Sequence, residues 1–405
     1  MSFTVIITTM GDYMYNFDEI IKRHGTNSLK FDFAKERGKN GDELSLWVAD
    51  MDFRVANPIT KAIQKQVDHG IYGYTEVKKD YFETVKNWFV KNFSWEPADA
   101  TLVKTPGVVF AIAMAIKAFS KPGEGVIIQQ PVYYPFSEMI IANERKLINS
   151  PLVLEGGAYK IDYDDFEKKV VENDVKLFIL CSPHNPVGRV WKEEELKKIG
   201  DICLKHNVII FSDEIHADFV YSPNKHHVFA SLGEEYANNS LIATAPSKSF
   251  NIAGLQISNI FINNKKLRDA FKNEIVKSGY SQHNVMGLVA ARAAYESGQE
   301  WLDEVRAYIK GNLDFLRDYL KNNIPQLNLI EPEGTYLVWV DFRNLGLSEK
   351  EREDLIVKKA KLWLDAGTMF GVDGEGFERF NIACPRSYLE QALKNLKDAV
   401  EEITA

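Results

Sequence analysis

Several side chains in this sequence could act on one small molecule. Lys248 lies in the small-residue loop Ala245-Pro-Ser-Lys-Ser-Phe250, just after the apolar run Ser240-Leu-Ile-Ala-Thr244. A run of that length and branching reads as a buried strand, and Pro246 ends it. The lysine therefore leaves a strand end, where open α/β sheets bind ligands. A desolvated amine there has a depressed pKa and can condense with a carbonyl. Asp213 closes a second apolar run, Val208-Ile-Ile-Phe-Ser-Asp213. A carboxylate so placed is costly to bury without a cation, and a protonated ring nitrogen is one. Asn185, in the proline-flanked loop 182–188, can donate to a phenolic oxygen. Tyr133, in Pro131-Val-Tyr-Tyr-Pro135, can stack on an aromatic ring. Gly107-Val108-Val109 opens an apolar helix whose free N–H groups and positive dipole end suit phosphate.

Each of these has an ordinary reading when taken singly: a solvated lysine, a capping acid, a turn asparagine, a packed tyrosine, a turn glycine. Together they fit pyridoxal 5'-phosphate. It offers an aldehyde to Lys248, a ring nitrogen to Asp213, a phenolate to Asn185, a ring face to Tyr133 and a phosphate to 107–109.

The elements that must position them follow a βα pattern. Strand-like runs stand at Thr101–Lys104, Gly125–Gln129, Leu177–Cys181, Val208–Phe211, Leu241–Thr244 and Ile257–Ile262. Helical spacing covers Val108–Phe119 and Glu193–His206 between them, and Asn57–Asp68 and Val77–Phe93 ahead of them. Continuously apolar strands alternating with helices argue a parallel or mixed sheet covered on both faces. The pattern then changes: helices Val285–Tyr295 and Trp301–Asn322, strands Thr335–Phe342 and Glu378–Ile382 around a helix near Glu349–Ala366, and a last helix from Ser387. We divide the chain into a large domain at 57–285 and a smaller α+β domain at 286–405. Residues 14–56 form an N-terminal arm that belongs to the smaller domain, and its polar stretch Asn16–Arg37 lies on the surface. Residues 1–13 read as a leader or a misplaced start, because Met14 opens a natural beginning.

At 405 residues two domains are the prior expectation. Apolar residues at 45% and charged residues at 26% are ordinary for a soluble protein. The net charge of −8 disfavours nucleic acid as a partner. No stretch reaches the roughly 20 apolar residues of a membrane helix. Cys181, Cys203 and Cys384 are scattered, which suits a reducing cytoplasm and neither a disulfide framework nor zinc. We read no metal site.

The chain resembles the fold-type I pyridoxal-phosphate enzymes, which are aminotransferase-like, and within them the cystathionine β-lyase branch often called MalY/PatB. The likeness rests on Gly25-Thr-Asn-Ser28, Trp47-Val-Ala-Asp-Met-Asp-Phe53, Tyr72-Gly-Tyr74, Pro131-Val-Tyr133, Ser182-Pro-His-Asn-Pro-Val-Gly-Arg189, Ser212-Asp-Glu-Ile-His-Ala-Asp218, Ala245–Leu255 and Asn381-Ile-Ala-Cys-Pro-Arg386. It runs from about Tyr15 to the C-terminus. It implies an α/β fold, with a mainly parallel seven-stranded sheet between helices and a smaller α+β domain. It implies that Lys248 holds the cofactor and moves protons, that Asp213 keeps the ring nitrogen protonated, and that Asn185 and Tyr133 contact the ring. The amides of Val108 and Val109 beside Gly107, with Ser247, would hold the phosphate. Tyr74 would reach the phosphate of a neighbouring subunit and join Lys248 in catalysis, making a homodimer the active unit. Arg386 would grip the substrate carboxylate, helped by the backbone near Ala49.

His216 is grouped with the cofactor contacts and stands where many aminotransferases carry a tyrosine. Gln256 stands where many carry an arginine on the phosphate. Both departures resemble the lyase branch. The implied reaction is α,β-elimination from L-cystathionine, or from cystine and other S-substituted cysteines, to a thiol, pyruvate and ammonia. Two rival readings stand beside it: an aminotransferase on the same fold, and a lyase that also binds a transcription regulator.

Overall fold

The computed structural model describes residues 14–404. The reading of residues 1–13 as a leader lies outside the described residues. Seven strands form the central sheet: β1 (Leu102–Thr105), β2 (Gly125–Ile128), β3 (Lys146–Asn149), β4 (Val175–Cys181), β5 (Ile209–Asp213), β6 (Ser240–Thr244) and β7 (Ser258–Phe261). Their spatial order is β1-β7-β6-β5-β4-β2-β3. Only β7 runs antiparallel to its neighbours. The mainly parallel seven-stranded sheet expected from the sequence is therefore present.

Both faces of the sheet are apolar, as successive side chains point to opposite sides. Val126, Ile128, Leu177, Ile179, Phe211 and Leu241 join one buried cluster, with helix α3 (Val108–Phe119). Ile127, Phe178, Leu180, Ile210 and Ile242 join the other. That second cluster takes in the apolar faces of α1 (Asn57–His69), α2 (Lys79–Phe93) and α4 (Glu193–Lys205). Helix α5 (Lys265–Lys277) completes the cover on the α3 side through Phe271. Helix α6 (Val285–Ser297) packs against α1 and α2, and α7 (Gln299–Asn323) carries the chain onward.

The second sheet is antiparallel, with β8 (Asn328–Ile330), β9 (Leu337–Asp341), β10 (Asp365–Ala366) and β11 (Phe377–Asn381) in the order β8-β9-β11-β10. Trp339 stacks on Phe377 at 5.2 Å within it. Helix α8 (Arg386–Thr404) closes this part.

Two expectations are corrected. The helix expected near 349–366 stops early: a turn of helix at Glu349–Glu353 widens into a π-helical segment at Asp354–Lys359. Lys361, in the left-handed region at φ 52°, then breaks it. Leu362–Trp363 pairs in parallel with Leu44–Ser45, and Asp365–Ala366 becomes β10. The arm is also not simply superficial. Phe17 is buried against Phe53, Trp301 and Tyr308. Lys30 is fully buried, with Asp52 accepting from its Nζ at 2.7 Å. An apolar anchor and a buried ion pair pin the arm down. Among the described residues no helix is long and apolar enough to cross a membrane.

Gly287 of α6 presses against the segment that follows the Lys248 loop. A Cβ there would collide with the Leu255 carbonyl oxygen. Gly287→Ala should cost about 1–3 kcal/mol of stability, read from denaturant unfolding.

Candidate active site

Register brings the chemistry together. Cys181 at the end of β4 pairs with Asp213 at the end of β5, which pairs with Ala243 near the end of β6. These C-terminal strand ends, with the turn after β1, open onto a cavity of about 370 Å³. Gly107, Val108, Val109, Tyr133, Asn185, Asp213, His216, Ser247, Lys248 and Ala49 all line it. Gln256 lines it too, together with Phe110, Ile215 and Cys181, which the sequence reading had not singled out.

Lys248 sits on a single helical turn, Pro246–Ser249. Its Nζ donates to the Ala49 carbonyl at 2.7 Å. Burial pulls its pKa down to about 8, against the opposing pull of Asp50 and Asp213. Asp213 is pushed up to about 7, also by burial. The Ile215 N–H, at 3.2 Å, offsets only part of that. His216 is driven down to about 3 by burial and by the nearby cations of Lys248 and Arg379, so its ring is neutral. Burial raises the phenol of Tyr133 and the thiol of Cys181 above their ordinary values.

Helix α3 begins at the cavity with no side chain capping it. The N–H groups of Val108 and Val109 are therefore free for an anion. A Cβ on Gly107 would meet no protein atom within 4 Å, so the backbone edge there faces open space.

Arg386 does not line the cavity. Its Nε donates to Asn312 Oδ1 at 2.8 Å, and its guanidinium lies 4.7 Å from the Phe315 ring. It opens α8 and faces α7, which holds both partners. Arg379, on β11, does not line the cavity either, but it lies directly behind the lining residue Asn185. It donates to Asn185 Oδ1 at 3.1 Å and to the Trp47 carbonyl at 2.7 Å, and it pairs with Asp365. Its Nε is buried without a partner. The sequence signal for it was a charged residue alternating with Phe377 and Asn381 on one face of a strand. Tyr74 is 95% exposed on the loop between α1 and α2 and touches no part of this cavity.

The residues present fit pyridoxal 5'-phosphate. Asp213 is a buried carboxylate awaiting a cation, His216 Nδ1 and Arg379 Nε are buried without partners, and the α3 amides are uncapped.

Asp213 also makes a prediction for the cofactor-free chain. Its folded pKa of about 7 lies above the unfolded value of about 3.9, so its contribution is fully present below about pH 4. It is lost as pH rises to about 7, with a total of about 2–4 kcal/mol. Asp213→Asn should flatten that slope, so the variant gains on the parent protein from pH 4 to 7. Urea unfolding across that range reads it out.

The family model described as aminotransferase class I and II matches residues 43–396. Cystathionine beta-lyase PatB of Bacillus subtilis is 41% identical over 385 residues, covering 95% of this chain and 100% of that protein. Cystalysin from Treponema denticola, whose structure contains a pyridoxal 5'-phosphate cofactor, superposes with a TM-score of 0.93 at 38% identity. That match covers 96% of this chain and 99% of cystalysin. The PLP-bound C-S lyase from Staphylococcus hominis complexed with the inhibitor L-cycloserine gives a TM-score of 0.90 at 34% identity, covering 96% and 99%.

Proposed function

The chain belongs to the aminotransferase class I and II family, and from that premise we propose that it is a pyridoxal-phosphate-dependent carbon–sulfur β-lyase. Its substrate is L-cystathionine or a related S-substituted cysteine. Its products are a thiol, pyruvate and ammonia. The observation that carries this reading is a depressed amine and an elevated carboxylate facing one cavity, with an arginine behind the lining residue Asn185 whose Nε is buried without a partner.

When bound, the cofactor supplies an electron sink for negative charge at the substrate Cα. Lys248 would hold its aldehyde carbon, Asp213 its ring nitrogen, Asn185 its ring oxygen, Tyr133 its ring face, and Val108, Val109 and Ser247 its phosphate. With a pKa of about 8, Lys248 Nζ is neutral often enough near pH 7 to take the Cα proton. His216 is neutral and adds no competing charge. A thiolate then leaves from Cβ, and water completes the release of pyruvate and ammonia. Arg379, already oriented by Asn185, meets the substrate carboxylate through its unpartnered Nε.

The active unit is a homodimer. Ile71, Tyr72 and Tyr74 form an exposed apolar loop on this chain, and Tyr74 is lent to the site of a second copy. The three cysteines are free and buried, which suits a reducing cytoplasm.

Purified protein should release pyruvate from cystathionine without an added oxoacid; strict oxoacid dependence would make it a transferase instead. Lys248→Ala should lose at least about 10³-fold in turnover, together with the visible absorbance of bound cofactor. The two arginines separate cleanly. Arg379→Ala should raise KM about 10- to 100-fold, whereas Arg386→Ala should change it less than about threefold. Steady-state kinetics on both variants decides between them.

A further inference from the structure

Residues 47–53 adopt no regular secondary structure, yet side chains from three directions hold their backbone. The carbonyls of Val48 and Asp50 both accept from Asn381 Nδ2 at 2.6 Å. That of Ala49 accepts from Lys248 Nζ and, at 3.1 Å, from the Tyr336 hydroxyl. Arg23 grips Asp50 and Asp52 from the arm, with Nη2–Oδ2 and Nη1–Oδ1 separations of 2.6 and 2.7 Å.

Asn251 adds a further hold from the Lys248 loop. Its Oδ1 accepts from the Met51 N–H at 2.9 Å, and its Nδ2 donates to the Met51 and Phe53 carbonyls, both at 2.9 Å. The residue lies three positions after Lys248, on the same loop, and its backbone is left-handed at φ 55°. Asparagine tolerates that conformation better than most residues. Its side chain carries both the donors and the acceptor this pattern needs. It does not line the cavity.

We infer that Asn251 is a positioning residue: its amide clamps the 47–53 strap to the Lys248 loop, fixing the span between the lysine amine and the Ala49 carbonyl. This rests on the lyase reading, because the strap then roofs the place where the substrate carboxylate meets Arg379. A slack strap would leave that carboxylate poorly seated and would let water reach Lys248. The charged and titratable groups facing Lys248 are Asp50 from the strap, Asp213 from β5, His216 just beyond it and Arg379 from β11. Asp213, His216 and Arg379 lie outside the strap, and Asp50 keeps its ion pair with Arg23 when Asn251 is changed, so a rise in the Lys248 midpoint reports lost cover rather than a lost charge.

The test uses Asn251→Gly, which removes the amide and accepts the left-handed backbone, beside Asn251→Ala, which adds strain there. In the cofactor-loaded enzyme, Asn251→Gly should raise KM for cystathionine about tenfold, with kcat within about threefold. In the full chain stripped of cofactor, acetic anhydride labelling of Lys248, read by mass spectrometry across pH, should shift its midpoint up by about one unit. Tyr336→Phe removes a single hydroxyl from the Ala49 carbonyl without disturbing the fold and should raise KM about two- to threefold. An unchanged KM and midpoint in Asn251→Gly would overturn the clamp, as would an effect confined to Asn251→Ala. The underlying reading fails differently: a parent-protein midpoint near about 10.4, the ordinary lysine value, would remove the chemistry and the clamp with it.

Discussion

Keeping one amine out of water is the constraint on which the rest of the structure turns. An ammonium group loses most of its hydration on entering a protein interior, and only nearby acceptors and anions make the burial tolerable. Lys248 has a carbonyl at hydrogen-bond distance and two carboxylates within electrostatic reach, and its proton affinity still falls. The elements around it follow from that requirement. The parallel strands bring Asp213 and the lysine loop to one edge of the sheet. The extended strap brings the Ala49 carbonyl. The second sheet brings Tyr336 and Arg379, and the arm brings the cations that hold Asp50 and Asp52. Neither sheet alone could enclose the group.

Asp213 has the converse problem. A carboxylate deep in an apolar sheet holds its proton unless a cation arrives, and the lysine supplies only part of one. The cavity therefore carries unmet electrostatic demand at several points at once: a carboxyl without a cation, an imidazole nitrogen and a guanidinium nitrogen without partners, and helix amides without a cap. Folding tolerates these separately at some cost. A single ligand with the matching charges relieves them together, which is why the set identifies its occupant better than any member does.

The large sheet and most of the cavity were legible in the sequence, because buried strands announce themselves by unbroken apolar runs and their ends by proline, glycine and acids. Lys248, Asp213, Asn185, Tyr133 and the 107–109 turn all fall at such ends. The placement of the two arginines was not legible. Pro385-Arg386 is a conspicuous motif, but a residue that opens a helix can face either way, and α7 offered Arg386 a partner in Asn312. Arg379 sits in Phe-Glu-Arg-Phe-Asn, where both charges are buried and only the fold turns Glu378 to Arg352 and Arg379 to Asn185. Asn251 carries no local signal of its role, since its three bonds reach 198 to 200 positions back along the chain. The helix expected to 366 failed for a related reason. Its strand residues match partners far away, at 44–45 and 378–379, and local periodicity cannot see them.

Cys181 lies in the wall of the cavity, and burial keeps it protonated. Thiol–disulfide exchange proceeds through the thiolate, so a sulfur whose pKa burial raises is a poor partner for it. A carbon–sulfur lyase liberates sulfur nucleophiles beside its own cysteine and would otherwise risk mixed-disulfide capture. Here the same dehydration that softens the lysine renders the neighbouring sulfur inert, so one dry environment both activates the useful nucleophile and silences the hazardous one.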